Sequence, residues 1–347
     1  MKHVSLLVNR LLTQLLPGVD ARFAAVLQSV GITAKGAQRS WILKNTEAAI
    51  PLVHAWNSIY SEQSPSQPLL HAYDFKCLYT NIDTDDMKTQ NMRLIGKVFA
   101  AHSGHVGIKV WQKAPAVWLK AHQIPTDDAH RRGTGHGGEY FIFDLDTIDT
   151  FISHLLDNMY VTFGDNLLRQ IIGTPMGTNC ASLLANFYLA MYELAFLENL
   201  ACIILNPATP EPKRSQVRNI MSGFLMTGRF IDDLLTINNP YIGYLLYTSQ
   251  TLFYPDVKGI YPDTLLLSLA HTGMSIPYMD ITIGPEAGSK PRLTTVPYDK
   301  RLHPPMSSVF IIKYPHMSSN ISRTAKYKLS PANSTDFAES SYPDAAL

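Results

Sequence analysis

The chain has 347 residues, of which 46% are hydrophobic and 16% are charged. This length and composition are typical of one large globular domain or two interleaved ones, and they exclude a chain that is disordered throughout. The formal net charge of +1 neither supports nor excludes a nucleic-acid partner, because a sum over the whole chain hides local patches. The three cysteines form no CxxC pair, so neither a disulfide framework nor a structural zinc site is expected.

The N-terminal part of the chain, residues 1–60, is predicted to be helical, with breaks at Pro17 and within 31–36. Leucines recur every four residues from Leu7 onwards, which is the spacing of an amphipathic helix. Polar residues interrupt this stretch too often for a membrane span, and they interrupt the apolar stretch 171–205 in the same way. We therefore expect buried helices and no membrane partner.

A linker is predicted at 62–68, and a short strand at 69–75 follows it, with Asp74 near the end of the strand. Thr84 is then predicted to be the N-cap of a helix. The two aspartates that follow Thr84 would lie in the first turn and complement the helix dipole, so we expect them to be structural.

Residues 124–139 are rich in glycine and polar residues and are predicted to form a flexible loop. Its histidines, His130 and His136, make a metal site an alternative interpretation, although no second ligand cluster has suitable spacing. Hydrophobic periodicity predicts the remaining elements. These are helices at 144–159 and 179–200, a strand and turn at 161–165, a β-hairpin at 226–237, and strands at 278–283 and 293–298. The tail from 330 is rich in Ser, Ala, Pro and Asp, and this composition predicts disorder.

The most informative segment is 228–237, in which Asp232 and Asp233 lie between apolar residues that favour β-strands. In a hairpin the apolar flanks would pack while the two acids project at the turn. Two adjacent carboxylates repel, and each raises the pKa of the other unless a cation neutralises them. A divalent metal would do so; the alternative is that the two aspartates only form a turn.

Asp74 follows an apolar and aromatic run, where the predicted strand ends. A lone aspartate at such a place is usually a cap or turn residue. A functional role for Asp74 is therefore supported only in combination with the acidic pair at 232–233. Three carboxylates from two strands can hold two Mg²⁺ ions roughly 4 Å apart. Ligands that are all oxygen suit Mg²⁺, and Mn²⁺ can substitute for it.

A third segment, 170–189, places Gly173 and Gly177 on either side of Pro175, in front of an apolar helix. Glycine at such positions allows the backbone to approach a base pair or a phosphate closely. The same pattern also occurs in turns that have no function. Its spacing differs from GxxxxGK[ST], which excludes a P-loop.

These three segments, in this order, resemble motifs A, B and C of the reverse transcriptase family. Their residues are most similar to those of the Penelope-like retroelement type. The resemblance covers about residues 69–325 and implies an α+β fold, the right-hand polymerase palm, in which helices back an antiparallel sheet. Partial fingers and a reduced thumb would complete it. The implied divisions are partial helical fingers at 1–68, a palm at 69–285 with an inserted segment and loop at 88–165, a palm hairpin end with a thumb-like basic segment at 286–329, and a disordered tail at 330–347.

The resemblance also implies a function, the template-directed addition of deoxynucleotides to a primer 3′-OH by an RNA-directed DNA polymerase with two Mg²⁺ ions. Its partners would be an RNA or DNA template with primer and deoxynucleoside triphosphates. The location would be intracellular, the nucleus in a eukaryote, with an organelle as an open alternative. Only 73 residues precede Asp74, without a recognisable fingers motif, so a catalytically inactive or truncated polymerase-like nucleic-acid-binding protein is the alternative. A third reading, an unrelated globular protein, requires Asp74 to lie far from Asp232.

Transferred position by position, the resemblance makes Asp74, Asp232 and Asp233 the catalytic residues and the metal ligands. The backbone carbonyl of Phe75 would complete one metal shell. Tyr79 would close the pocket under the sugar and exclude a 2′-hydroxyl, with a packed core aromatic as the alternative. The other substrate-binding residues would be Gln170, Gly173, Pro175, Gly177, Phe230 and Lys300. The basic excess at 290–328 would suit either a phosphate-tracking surface or a solvated face.

Overall fold

The computed structural model describes residues 2–32, 40–59, 67–287 and 291–299. The chain divides into two compact units, residues 1–298 and 299–347, and only Asp299 of the second unit is described. The first unit is an α+β structure of helices and antiparallel sheets. The predictions for the tail from 330, for Lys300 and for most of the basic segment therefore lie outside the described residues.

The helices and strands of the described residues follow in chain order. The α-helices are α1 (Lys2–Ser29), α2 (Ile50–Ile59), α3 (Leu78–Asn81), α4 (Thr84–Ala101), α5 (Leu145–Asp157), α6 (Ala181–Leu205) and α7 (Glu211–Gly223). The strands are β1 (Leu70–Lys76), β2 (Gly107–Trp111), β3 (Val117–Leu119), β4 (Arg132–Gly135), β5 (Gly138–Asp144), β6 (Tyr160–Phe163), β7 (Asn166–Arg169), β8 (Thr227–Phe230), β9 (Asp233–Ile237), β10 (Thr251–Leu252), β11 (Tyr254–Lys258), β12 (Leu266–Gly273), β13 (Ile276–Tyr278), β14 (Ile281–Pro285) and β15 (Leu293–Pro297). Short 3₁₀ turns lie at Thr46–Ala49, Ala121–Gln123, Asp128–Arg131 and Ile242–Tyr244.

Strand β1 lies inside a four-stranded antiparallel sheet with the order β12-β1-β9-β8. Its apolar side chains are buried on both faces, Leu70 and Ala72 on one and Tyr73 and Phe75 on the other. Burial on both faces explains why the strand has an almost continuous apolar sequence. A second four-stranded sheet has the order β3-β2-β5-β4, a three-stranded sheet consists of β13, β14 and β15, and β6–β7 and β10–β11 are two-stranded.

Helix α6 is the central helix of the core and packs against α1, α4 and α7. Apolar side chains on all sides of it are buried, as expected of a helix surrounded by other elements. By length and composition α6 could also cross a membrane, and 67% of its most apolar window is buried among the other elements. This burial agrees with the buried helix that the sequence predicted at 179–200.

The helix break predicted at Pro17 is wrong, because α1 continues through this residue to Ser29. A proline inside a helix removes one backbone hydrogen bond and costs about 3 kcal/mol. Buried side chains lie on both sides of it, among them Leu12 and Phe23, and their packing offsets that cost. The neighbouring Gly18 lets α1 approach α4, since a Cβ there would lie 2.4 Å from Val98 Cγ1.

The flexible loop predicted at 124–139 is also wrong, because this segment contains β4 and the start of β5. Its glycines allow a tight hairpin: Gly138 has a φ of +81°, and Gly135 and Gly137 lie against the ring of Trp111. The sequence pattern is therefore that of a turn rather than of a mobile segment.

Most of the other predicted elements are confirmed, some with shifted ends. The strand at 69–75 is β1, the helices at 144–159 and 179–200 are α5 and α6, the strand at 161–165 is β6, the hairpin at 226–237 is β8–β9, and the strand at 293–298 is β15. The single strand predicted at 278–283 is wrong in part, because β13 ends at Tyr278 and β14 begins only at Ile281. The predicted N-cap is off by one residue, because the side chain of Asp83 caps α4 by accepting from Asp86 N at 2.8 Å. Met279, with a φ of 55°, separates β13 from β14.

We expect Gly18→Ala to lower the free energy of unfolding by about 1–3 kcal/mol, because the added methyl meets the buried and stiff side chain of Val98. Gly96→Ala is the matched control on α4. Nothing lies within 4 Å of a Cβ at position 96, so this variant should be more stable than the wild type by about 0.5–1 kcal/mol. Urea unfolding followed by circular dichroism measures both changes, and equal effects would contradict the close α1–α4 contact.

Candidate active site

The acidic residues that are far apart in sequence meet in the central sheet. Strands β1 and β9 are antiparallel neighbours, and Asp74 is the register partner of Asp233. The amide of Phe75 donates a hydrogen bond to the carbonyl oxygen of Asp232 at 2.9 Å. The third reading of the sequence, in which Asp74 lies far from Asp232, is therefore excluded.

The acidic pair lies at a tight hairpin turn between β8 and β9. Phe230 pairs with Asp233, which leaves Ile231 and Asp232 as the two turn residues. Ile231 has a φ of 53°, a left-handed conformation that is rare for a β-branched side chain. Such a residue costs about 1–3 kcal/mol and persists only where its surroundings hold it. This turn is therefore a strained element next to the carboxylates.

The carboxylate of Asp232 lies in an unfavourable electrostatic environment. Its pKa is raised, chiefly because the group is partly buried, and the negative charge of Asp74 raises it further. A backbone hydrogen bond at Asp232 and the charge of Arg229 act in the opposite direction. A cation placed between the carboxylates would relieve this repulsion.

A cationic side chain already lies beside one of these acids. Lys76 Nζ is 3.0 Å from Asp74 Oδ2, and the two side chains are 56% and 33% exposed. Ion pairs this exposed contribute at most about 1 kcal/mol. Lys76 can therefore leave Asp74 at little cost when another cation binds.

The donor chemistry of the three aspartates fits Mg²⁺ or Mn²⁺, because every ligand atom would be a carboxylate oxygen. Within the described part of the chain, however, no three His, Cys, Asp or Glu side chains are grouped closely enough to form a ready-made metal cage. Asp74, Asp232 and Asp233 thus share one end of the sheet without converging on one point. The pattern suits ions that also take oxygen ligands from a substrate and from water.

The glycine-containing segment that the sequence singled out packs onto the residues that follow β1. Gly173 N donates to Ile82 O, and Thr174 N donates to Tyr79 O, both at 2.7 Å. Gly173 has a φ of +91°, and a Cβ there would lie 2.4 Å from Tyr79 O. Glycine is therefore required at 173 both by its backbone conformation and by the close approach to Tyr79.

The other residues of this segment have different surroundings. The side-chain amide of Gln170 donates to Ile172 O and to Thr174 O, so it braces the loop. Pro175 is buried, and its carbonyl accepts a hydrogen bond from the hydroxyl of Thr178. Gly177 has a φ of +86° with nothing within 4 Å of a Cβ, so only its backbone conformation requires glycine.

The aromatic residues predicted to bind substrate lie close to the acids, and their side chains are partly or fully buried. Burial raises the pKa of Tyr79, and the negative charge of Asp232 raises it further, so the phenol stays protonated. Tyr79 and Phe230 are partly buried and pack on the core. Phe75 is 2% exposed, with its ring edge-on to Tyr261 at 4.9 Å between centroids. The alternative of a packed aromatic at position 79 stays open.

No functional role was predicted from the sequence for the buried polar residues beneath the turn. Arg229, Glu193 and Tyr261 have no exposed surface, and Asn186 is 6% exposed. They form one hydrogen-bonded network, in which Arg229 contacts Glu193 and Asn186 while Tyr261 donates to Glu193. The signal in the sequence was the single arginine within the apolar strand of segment 228–237. A further missed residue is Tyr278, whose hydroxyl donates to Asp233 O at 2.9 Å.

Comparison with known proteins gives a distant structural likeness. No protein family and no curated protein matches the chain. Among solved structures, telomerase from Candida albicans in complex with a fragment of telomeric RNA has a TM-score of 0.44 and 9% identity, and the match covers 84% of this chain and 39% of the telomerase chain. Apo telomerase from Candida tropicalis has a TM-score of 0.43 and 9% identity, with 79% and 39% covered. The chain thus spans about 39% of the length of these telomerases, and the Penelope-like type stays a prediction.

We expect Gly173→Ala to destabilise the protein more than Gly177→Ala, although both residues have a φ near +90°. Left-handed backbone costs about 1–2 kcal/mol in either variant. The methyl at 173 would also collide with Tyr79 O, which adds about 1–3 kcal/mol. Urea unfolding of the two variants measures the difference, and equal losses would show that the loop does not press on Tyr79.

Proposed function

We propose that this chain is a nucleotidyltransferase of the reverse transcriptase type, which adds deoxynucleotides to the 3′-OH of a primer on an RNA or DNA template. The observation that carries the proposal is the register of the central sheet, in which Asp74 is paired with Asp233 and the Phe75 amide is bonded to Asp232. Two carboxylates on adjacent strands, with a third in the adjoining turn, supply oxygen ligands at one end of the sheet, where two metal ions could act in phosphoryl transfer.

In this proposal the protein contributes mainly by positioning. Asp74, Asp232 and Asp233 would hold two Mg²⁺ ions, and the carbonyl of Phe75, directly after Asp74, would complete one shell. Bound metal would supply acidity for the primer hydroxyl and charge stabilisation for the leaving pyrophosphate. The paired strands keep Asp74 and Asp233 side by side at one end of the sheet, so little reorganisation is needed when substrate arrives. Lys76 would release Asp74 at that moment.

The loop at 170–177 would shape the pocket beside these acids. Its hydrogen bonds to Tyr79 O and Ile82 O fix the backbone around Tyr79. A ring held in this place would contact the sugar of the incoming nucleotide and leave no room for a 2′-hydroxyl. Gln170, Gly173, Pro175 and Gly177 would then border the template and the incoming base, with Phe230 near the acids. Lys300, outside the described residues, is proposed to contact the triphosphate.

A second candidate function is nucleic-acid binding without extension. The observation that favours it is the separation of the three carboxylates, since no three-ligand cluster exists within the described residues. Under this alternative the end of the sheet that carries the acids would bind a primer–template, and the basic residues beyond 290 would contribute phosphate contacts. Binding of this kind would be tight at low salt and would weaken steeply as salt is added.

Primer extension by the full chain tests the proposal. With a DNA primer on an RNA template, deoxynucleotides and Mg²⁺, we expect Asp74→Asn and Asp232→Asn to slow extension by about 10²–10³-fold or more, because each removes a charged ligand. Asp85→Asn is the control, since the Asp85 side chain is 91% exposed on α4, and it should extend at the wild-type rate.

A measurement without turnover separates the two candidates. Mg²⁺ should raise the Tm of the wild type by stabilising the folded state, and it should raise that of Asp232→Asn less. Wild-type protein that binds primer–template with strong salt dependence but extends nothing would refute the polymerase proposal and support the binding protein.

Tyr79 provides a separate test of nucleotide selection. Tyr79→Val should lower the preference for deoxynucleotides over ribonucleotides by about 10–100-fold in kcat/KM, because the smaller side chain leaves space for a 2′-hydroxyl. Tyr79→Phe keeps the ring and should keep the preference. Unchanged selection in Tyr79→Val would show that this residue is only a packed aromatic.

A further inference from the structure

The turn that carries Asp232 accepts a hydrogen bond from the side chain of one arginine, Arg229. Arg229 Nη1 donates to the carbonyl oxygen of Ile231 at 2.8 Å. Ile231 is the turn residue with left-handed backbone, a conformation that a β-branched residue does not keep unaided. The hydrogen bond from Arg229 thus acts on the strained peptide that leads directly into Asp232.

All five N–H groups of this guanidinium have acceptors. Nε and Nη2 contact the carboxylate of Glu193, Nη2 also contacts Asn186 O at 3.2 Å, and Nη1 contacts Asn186 Oδ1 at 2.8 Å besides Ile231 O. Four of the five bonds anchor the arginine on helix α6, and one reaches the turn. The planar fork of arginine is necessary for this, because a lysine has three donors at one point.

The backbone of Arg229 is fixed as well. Its amide donates to Trp41 O, and its carbonyl accepts from Leu43 N at 2.8 Å, so β8 is clamped on its outer edge by residues 41–43. Because hydrogen bonds hold both the backbone and the guanidinium of Arg229, the position of Ile231 O depends on the core of the protein. The turn cannot relax without breaking a partly buried, charge-assisted hydrogen bond.

Stability alone does not account for this network. A buried ion pair costs so much desolvation that apolar residues of similar volume are often equally stable or more so. The Arg229–Glu193 pair is completely buried. We propose that Arg229, anchored by Glu193 and Asn186, is a positioning residue that keeps the Ile231–Asp232 turn in its strained conformation and so places the Asp232 carboxylate for nucleotide addition. This proposal rests on the proposed function.

A pair of variants separates positioning from stability. Arg229→Met alone leaves Glu193 charged and buried, so it should lower the Tm strongly. The double variant Arg229→Met/Glu193→Met replaces both charges with apolar chains and should recover most of that Tm. If Arg229 positions the turn, the double variant stays about 100-fold below wild type in kcat for primer extension, with the KM for the nucleotide little changed.

Two single variants complete the set. Arg229→Lys keeps the charge but not the fork, and we expect a kcat that is about 10–100-fold lower. Thr227→Val is the control on the same strand and face, because the Thr227 hydroxyl is buried without a hydrogen-bond partner, and it should keep the wild-type kcat. A double variant that regains kcat together with Tm would overturn the positioning role.

Hydrogen exchange tests the turn independently of activity. The Phe75 amide is bonded to Asp232 O, and the Ile237 amide is bonded to Met226 O at the far end of the hairpin. In the stable double variant we expect the Phe75 amide to exchange at least about 10-fold faster, while Ile237 exchanges as in the wild type. Equal protection of Phe75 would overturn the proposal even if the wild type extended primers. A wild type without extension but with the expected exchange pattern would refute the proposed function alone.

Discussion

The antiparallel pairing of β1 with β9 is the constraint on which the candidate site depends. Side chains alternate between the two faces of a strand, so a slip of one residue would move Asp74 to the opposite face from its present one. The register is fixed near the site by the bond between the Phe75 amide and Asp232 O. Further along the pair it is fixed by buried apolar residues such as Leu70 and Ile237, which are register partners. Packing of the core therefore determines where the acids lie.

The same strand pairing brings together Asp74 and Asp232, two carboxylates whose charges repel each other. Burial and the charge of Asp74 both disfavour the ionised form of Asp232, and Ile231 adds backbone strain at the adjacent position. Repulsion and strain at one place are more typical of functional sites than of turns that only connect strands. The exposed pair between Lys76 and Asp74 relieves little of this cost. The site is arranged so that a bound cation would stabilise it.

Local patterns in the sequence predicted most of the elements, including the strand that carries Asp74 and the hairpin that carries the acidic pair. The meeting of these elements was not contained in any local pattern; it followed from the resemblance of three ordered motifs to a known family. The helix through Pro17 could not be predicted, because the burial of its apolar stripe against distant helices outweighs a local breaker. Arg229 and Glu193 are 36 residues apart, and a buried ion pair leaves no periodic signal.

Helix α6 carries two of the polar residues that bind Arg229, namely Asn186 and Glu193. Asn186 and Glu193 are spaced by about two helical turns, so they lie on one side of a helix whose surface is otherwise mostly apolar and buried. Polar groups in such a place require complete hydrogen bonding, and the guanidinium of Arg229 supplies it. Apolar side chains of similar volume are often as stabilising as a buried ion pair of this kind, or more so. What the polar side adds is a rigid connection from the central helix of the core to the turn before Asp232. The carboxylate is thereby tied to the most buried helix of the described structure rather than to a surface loop.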